Sequence, residues 1–217
     1  MTHTTLSDLA SKERIIRVAA LMFAERGYHA VGVNDLCKAV GLSRGALYHH
    51  IHSKEAILDE ICSSYMAKLG DLARRTVEQE CDPEVQLRKL GHDLIDIVAR
   101  HKPELTVCFR EIQSLTGERR ERVLGLHAAY ENVWMQVLKK GHAAGRFRPY
   151  SKHRLKGLLG MHYYSYIWIR SDSPAMVRET AETFHDIVLR AVAPAPASAP
   201  KAGAASRAAG QKAAARR

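Results

Sequence analysis

Residues 33–51 read VNDLCKAVGLSRGALYHHI. Leu36 and Val40 are four apart and share one face of a short helix over Val33–Val40. Cys37 is small enough to let a second helix approach. Gly41 permits the left-handed conformation that ends a helix. Leu42 plugs the corner, and Ser43 is a good N-cap for a helix from Arg44 to about Ile51. Leu47 and Ile51 are again four apart and point to the core. Arg44, Gly45, Ala46, Tyr48, His49 and His50 remain outward. Two short helices joined by such a turn form a helix-turn-helix, whose second helix enters the major groove of DNA. Small Gly45 and Ala46 allow close approach, and Arg44 can reach guanine or phosphate. Tyr48, His49, His50 and, beyond Ser53, Lys54 can donate to phosphates.

The pattern outside this core is helical throughout. Ile15, Val18, Ala19, Met22 and Phe23 form an apolar stripe upstream, with Ser11 as the expected cap and Gly27 as the stop. Ser53 opens a long fourth helix to about Cys81, and Asp82-Pro83 opens a fifth to about Arg100. Further helices are predicted from Pro103 to Leu115, Arg119 to Ala144, Lys152 to Arg170 and Pro174 to Val192. No β-type alternation persists, so the fold class is all-α with nine helices. Residues 1–10 are expected to be a flexible N-terminus, 11–60 a DNA-binding domain and 61–193 a second helical domain. Residues 194–217 are Ala, Pro, Gly, Ser and basic residues, and are expected to be a disordered tail.

Charge placement narrows the function. The net charge is +10, yet residues 1–62 carry seven Lys/Arg and seven Asp/Glu. The tail carries Lys201, Arg207, Lys212, Arg216 and Arg217 with no acid. The N-terminal segment is no general polycation, so any DNA contact there depends on placement. A non-specific architectural DNA binder driven by the basic tail is the rival from another class. The four cysteines, Cys37, Cys62, Cys81 and Cys108, lack metal or disulfide spacing. His49 and His52 alone make a poor metal pair, and no metal or cofactor is expected. No Gly-x-Ser-x-Gly elbow, phosphate loop or His-Glu-x-x-His occurs, which argues against an enzyme. No signal stretch or membrane span is evident, so a cytoplasmic protein is expected.

Residues 11–60 resemble the DNA-binding domain of the TetR family. The resemblance rests on Phe23-Ala-Glu-Arg-Gly-Tyr28, on Val33-x-Asp-Leu and on Gly-Leu-Ser-Arg-Gly-Ala-Leu-Tyr. It continues through Ser53-Lys-Glu-Ala-Ile-Leu58. It implies that Ser43, Arg44, Gly45, Tyr48, His49 and Lys54 face DNA. Gly32 stands where a Ser or Thr cap is usual, and Ile51 replaces the usual aromatic residue. The resemblance also implies a homodimer on a palindromic operator, paired through the last two helices. Leu155, Leu159, Tyr166, Phe184, Ile187 and Val188 are the expected interface.

The segment Leu158-Leu-Gly-Met-His-Tyr-Tyr-Ser-Tyr-Ile-Trp-Ile-Arg170 is similar to that of TetR repressors of fatty-acid and sterol breakdown. Several of those respond to acyl-coenzyme A thioesters. Such a ligand needs an apolar tunnel and cationic groups for its phosphates. Phe109, Trp134, Leu138, Met161, Tyr164 and Trp168 are expected to line the tunnel, with Met135 a further candidate. Arg110 and Arg170 are expected to hold phosphates, with Arg119, Arg120 and Arg122 as alternatives. Hydrophobic drugs or aromatic compounds are the alternative ligand class.

Overall fold

The computed structural model describes residues 6–170 and 172–194. The tail beyond 194 lies outside the described residues. Among those described there are nine α-helices and no strand: α1 (Leu6–Arg26), α2 (Val33–Val40), α3 (Arg44–His50), α4 (Lys54–Gln79), α5 (Pro83–Arg100), α6 (Lys102–Glu111), α7 (Gly117–Ala143), α8 (Lys152–Tyr164) and α9 (Pro174–Val192). Short 3₁₀ turns follow α6 and α8.

α1 begins at Leu6, five residues before Ser11. Ser11 therefore sits inside the helix and does not cap it, and residues 6–10 continue the helical backbone. Ile15, Ala19, Ala20 and Phe23 form its buried face. The helix-turn-helix closes as its sequence dictates. Gly41 takes φ +67° and lets α2 stop within one residue. Ser43 Oγ accepts from the Ala46 amide at 3.2 Å. Gly32 has no side chain to cap α2, and Asp35 reaches back to accept from its amide at 2.9 Å. Ile51, in place of an aromatic residue, is buried beside Leu47 in the same core.

α4 runs from this head into the body, where its apolar face packs on α5, α6 and α7. α5 is central and carries α9 and α8 on its other sides. α9 ends where Arg148 donates to the Ala193 carbonyl at 2.6 Å. α8 stops at Tyr164, six residues before the expected end. Ser165 Oγ donates to the His162 carbonyl at 2.6 Å, and this local bond competes with the helical ladder. The chain then tightens through Ser165–Ile167 and buries Ile169.

Two interior features have measurable consequences. A Cβ on Gly141 would collide with the Phe147 ring, and the Phe147 amide donates to the Gly141 carbonyl at 3.1 Å. Gly141→Ala should therefore destabilise the protein by roughly 1–3 kcal/mol, read as a lower urea midpoint with unchanged slope. A shift below about 0.5 kcal/mol would mean that the loop slides aside freely.

His162 is 1% exposed, and its Nδ1–H donates to the Leu158 carbonyl at 2.8 Å. Burial pushes its pKa down to about 4, and nearby His92 on α5 pushes the same way. The unfolded chain binds this proton near pH 6.5. The neutral form's contribution is thus intact above pH 6.5 and is lost as pH falls toward 4. On the order of 2–3 kcal/mol should disappear across that window. Thermal melts of the wild type and His162→Gln should converge as the pH drops. A constant gap between them would refute the assignment.

Candidate nucleic-acid interface and ligand cleft

α3 has one buried face and one open face. Leu47 is buried, while Ser43, Arg44, Gly45 and His49 are exposed and Ala46, Tyr48 and His50 are half-buried. The Arg44 guanidinium lies 5.7 Å from the Tyr48 ring centroid, a cation–π arrangement that holds both side chains at the helix start. Nothing would meet a Cβ on Gly45, so the surface there is flat and open. Lys54, at the start of α4, places Nζ 4.3 Å from the Tyr28 ring centroid. Partial burial lowers its pKa, although Glu111 nearby works in the opposite direction. Seven of the eight residues expected at a DNA surface lie on α3 or at its cap, while Lys54 packs over the Phe23 and Tyr28 rings near Glu111. No cluster of three or more His, Cys, Asp or Glu residues among those described could hold a metal.

Besides the continuous α4, directed bonds tie the head to the body at two places. The first is the start of α7. Glu55 accepts from the Thr116 amide and hydroxyl, each at 2.9 Å, and from Arg119 at 2.7 Å. These bonds, the Thr116 pair foremost, hold the Glu55 carboxyl below its ordinary pKa. Arg122 pairs with buried Asp59. Arg119 and Arg122 are thus engaged by carboxylates of α4, and Arg120 is bonded to Gln113 at 2.9 Å. The second is the end of α6. Glu111 accepts from the Tyr28 amide at 3.1 Å, and Arg110 donates to the Ala24 carbonyl at 3.3 Å. His29 and Ser114 are 3.0 Å apart.

The same turn of α6 borders an aromatic cleft of about 430 Å³. Phe109, Arg110, Gly160, Tyr163, Tyr164 and Tyr166 line it. The Phe109 ring stacks on Tyr166 at 6.0 Å and meets Tyr163 edge-on at 5.4 Å. Phe109 is 47% exposed and Tyr164 65%, a large apolar surface to leave open.

Two family descriptions match the chain. Residues 15–61 match the bacterial regulatory proteins of the tetR family, and residues 80–192 match the tetracyclin repressor-like C-terminal domain. The chain belongs to the TetR family. It is a helix-turn-helix transcriptional regulator and not an enzyme. Among curated relatives, the transcriptional repressor KstR2 of Mycobacterium tuberculosis is 28% identical over 178 residues, covering 81% of this chain and 89% of that one. Among solved structures, the TetR regulator PfmR from Thermus thermophilus superposes with a TM-score of 0.76 at 33% identity, over 82% and 97% of the two chains. AibR, solved with isovaleryl coenzyme A and operator DNA, superposes at 0.74 over 82% and 98% with 23% identity, a likeness of fold.

Of the residues expected to contact ligand, Phe109, Arg110 and Tyr164 meet at the cleft. Trp134 and Leu138 do not line it, because both are buried in the core of the body. Met161 is half-buried against that core. Trp168 lies 6.1 Å from the Phe184 ring, and Arg170 is paired with Asp172 at 3.1 Å. Tyr163 and Gly160 were absent from the expected set, although both fall in the quoted segment.

The dimer residues divide likewise. Leu155, Leu159 and Val188 are at most 3% exposed within one chain and have no surface left for a partner. They are core residues. Tyr166 and Phe184 are half-buried, and Ile187 is 42% exposed. No helix among the described residues is long and apolar enough to cross a membrane.

Proposed function

We propose that the protein is a dimeric repressor that leaves a palindromic operator when an acyl-coenzyme A thioester occupies the aromatic cleft. The observation that carries this reading is the double engagement of Arg110. It lines the cleft and also bonds to Ala24 in the DNA-binding head. A ligand phosphate competing for that guanidinium would loosen the tie between α6 and α1, because a phosphate oxygen carries a charge where the Ala24 carbonyl carries none. The isovaleryl coenzyme A bound to AibR shows that a protein of this fold can take such a ligand. The repressor KstR2 is consistent with the direction of control.

The partner surface follows from what is left uncovered. Ile167, Trp168 and Ile187 are large, apolar, exposed and outside the cleft lining. Gly157, on the open face of α8, leaves room for a second helix to approach. This patch replaces Leu155, Leu159 and Val188 as the proposed interface. A dimer sets two α3 helices about one turn of DNA apart.

On the DNA side, Ser43, Arg44, Gly45, Ala46, Tyr48, His49, His50 and Lys54 form the contact face. Arg44→Ala should weaken binding to operator DNA by roughly 1–3 kcal/mol and flatten the preference over shuffled DNA. Lys54→Ala should weaken both DNAs alike and lower the salt slope by about one. Fluorescence anisotropy across a salt series checks both. Equal effects of the two changes on selectivity would displace α3 as the reading helix.

With the same labelled DNA, a series of acyl-coenzyme A thioesters should lower operator affinity about 5- to 150-fold, while free coenzyme A should not. Thioesters that bind without moving DNA affinity would end the proposal. So would release by hydrophobic dyes where no thioester acts.

A further inference from the structure

Arg88 and His92 are four residues apart on α5 and share one face of the helix. That face meets α9, which supplies Glu182 and His185. Arg88 donates to Glu182 at 2.5 Å. His92 Nε2 stands 3.8 Å from the same carboxylate, too far for a hydrogen bond. The His92 and His185 rings lie 6.2 Å apart. His92 Nε2 and His185 Nδ1 are both buried without a hydrogen-bond partner. Next to His92, Gly91 faces His162 of α8. A Cβ on Gly91 would stand 3.1 Å from His162 Nε2, a third imidazole nitrogen with no partner. Imidazoles from α8 and α9 thus press on the turn of α5 that carries a third.

The charges around this seam are few, and most are already engaged. With the imidazoles neutral, Arg88 and Glu182 form one closed pair across it. Glu84, at the start of α5, acts on His185 and is held by Arg146 at 2.6 Å. Asp93 adjoins His92, but it accepts from Thr76 of α4 at 3.4 Å and has Lys89 as a neighbour. A proton on His92 would find Glu182 nearby. A proton on His185 would find that carboxylate shared, with Arg88 and His92 facing it. Burial pushes the His185 pKa down, and Arg88 and His92 push it further, against Glu182 and Glu84.

The sign follows from this direction. α9 docks with His185 neutral, whereas an imidazole in water takes its proton near pH 6.5. The docking stability from His185 is whole above about 6.5 and falls as the pH drops below it. His162, with a pKa of about 4, is still neutral at pH 5.5. The two effects therefore occupy separate windows, first α9 and then the interior. Little else secures α9. It packs on α5 and only slightly on α8. Its buried side chains are Thr180, Ala181, Val188 and Val192, none of them large, so modest apolar burial opposes repulsion at the seam.

We infer that the seam between α5 and α9 is an acid-operated catch, in which a proton taken up by His185 sets like charge against Arg88 and His92 and lifts α9 from α5. Phe184 and Ile187 flank His185 on α9, and the Phe184 ring lies 6.1 Å from Trp168. Release of α9 therefore dismantles the patch proposed above for the dimer. That consequence rests on the dimer reading, and the catch itself does not.

The test is hydrogen exchange of the full chain at pH 7.5 and 5.5, corrected for the intrinsic rate, with the amides of α9 followed against those of α5. Wild-type α9 should lose protection by up to about tenfold at the lower pH while α5 keeps its own. His185→Gln keeps a polar side chain without the proton site and should hold α9 protection nearly level. Glu182→Gln removes the answering carboxylate and should enlarge the loss. An α9 as protected at pH 5.5 as at 7.5, or a loss of wild-type size in His185→Gln, overturns the catch. Sedimentation of the same samples reads the dimer separately. A wild type that passes toward monomer at pH 5.5, while His185→Gln stays dimeric, supports both readings. A chain already monomeric at pH 7.5 ends the dimer reading, and α9 exchange then decides the catch by the same criteria.

Discussion

A helix of seven residues cannot hold itself together in water, because nucleation is unfavourable and two turns return few hydrogen bonds. α3 is such a helix. Its place in space therefore belongs to its anchors. Ser43 fixes the start, and Leu47 and Ile51 sink into the core shared with α1, α2 and α4. The outward Arg44 and Tyr48 inherit their positions from this burial. So does everything downstream, since a head that rocked on α4 would lose register with DNA however well its side chains were chosen. Rigidity of α3 reduces to rigidity of the head, and its orientation reduces to the head's attachment to the body.

That attachment combines packing with directed bonds. α4 is continuous between the two parts, and its apolar face is buried along most of its length. The ion pairs at Glu55 and Asp59 add little bulk stability, because their Arg partners are 39% and 54% exposed and screened by solvent. Their contribution is angular. Glu55 gathers three donors from the first turn of α7, so α4 cannot rotate there without breaking several bonds together. The directed bonds at the end of α6 are longer: Tyr28 to the Glu111 carboxylate, Arg110 to the Ala24 carbonyl, and His29 with Ser114. The body thus holds the head by a firm grip at α7 and a weaker one at α6.

Legibility followed the same division. The head was readable because its turn needs Gly41, its cap needs Ser43, and its spacing between Leu36 and Ile51 admits only one pairing of faces. The start of α1 was missed because Ser11 has the chemistry of a cap, yet the residues before it continue the helix. The body was readable in its helix order and not in its surfaces. An apolar stripe tells which face of a helix leaves water and not which neighbour covers it. Leu155, Leu159 and Val188 carry the signal of an interface and serve as core. Trp134 and Leu138 look like a tunnel lining and are packed inside. Ser165 gave the one local sign that α8 would stop short, a hydroxyl able to bond back to the helix it ends.

On the proposed function, a ligand in the cleft acts at the weaker grip, the one at α6. A coupling of a few kcal/mol must be delivered by differential contacts in two states. Displacing one Arg110–carbonyl bond falls within that range, whereas opening the α7 latch would require breaking an ion-pair network at once. The cleft borders the weak contact and not the strong one. Phe109, Arg110 and Glu111 are consecutive on α6, so a ligand that displaces that turn displaces both residues bonded to the head. A ligand need not deform the body to be felt at α3. It needs only to shift one turn of α6, and the fold has put that turn at the place where cleft and head meet.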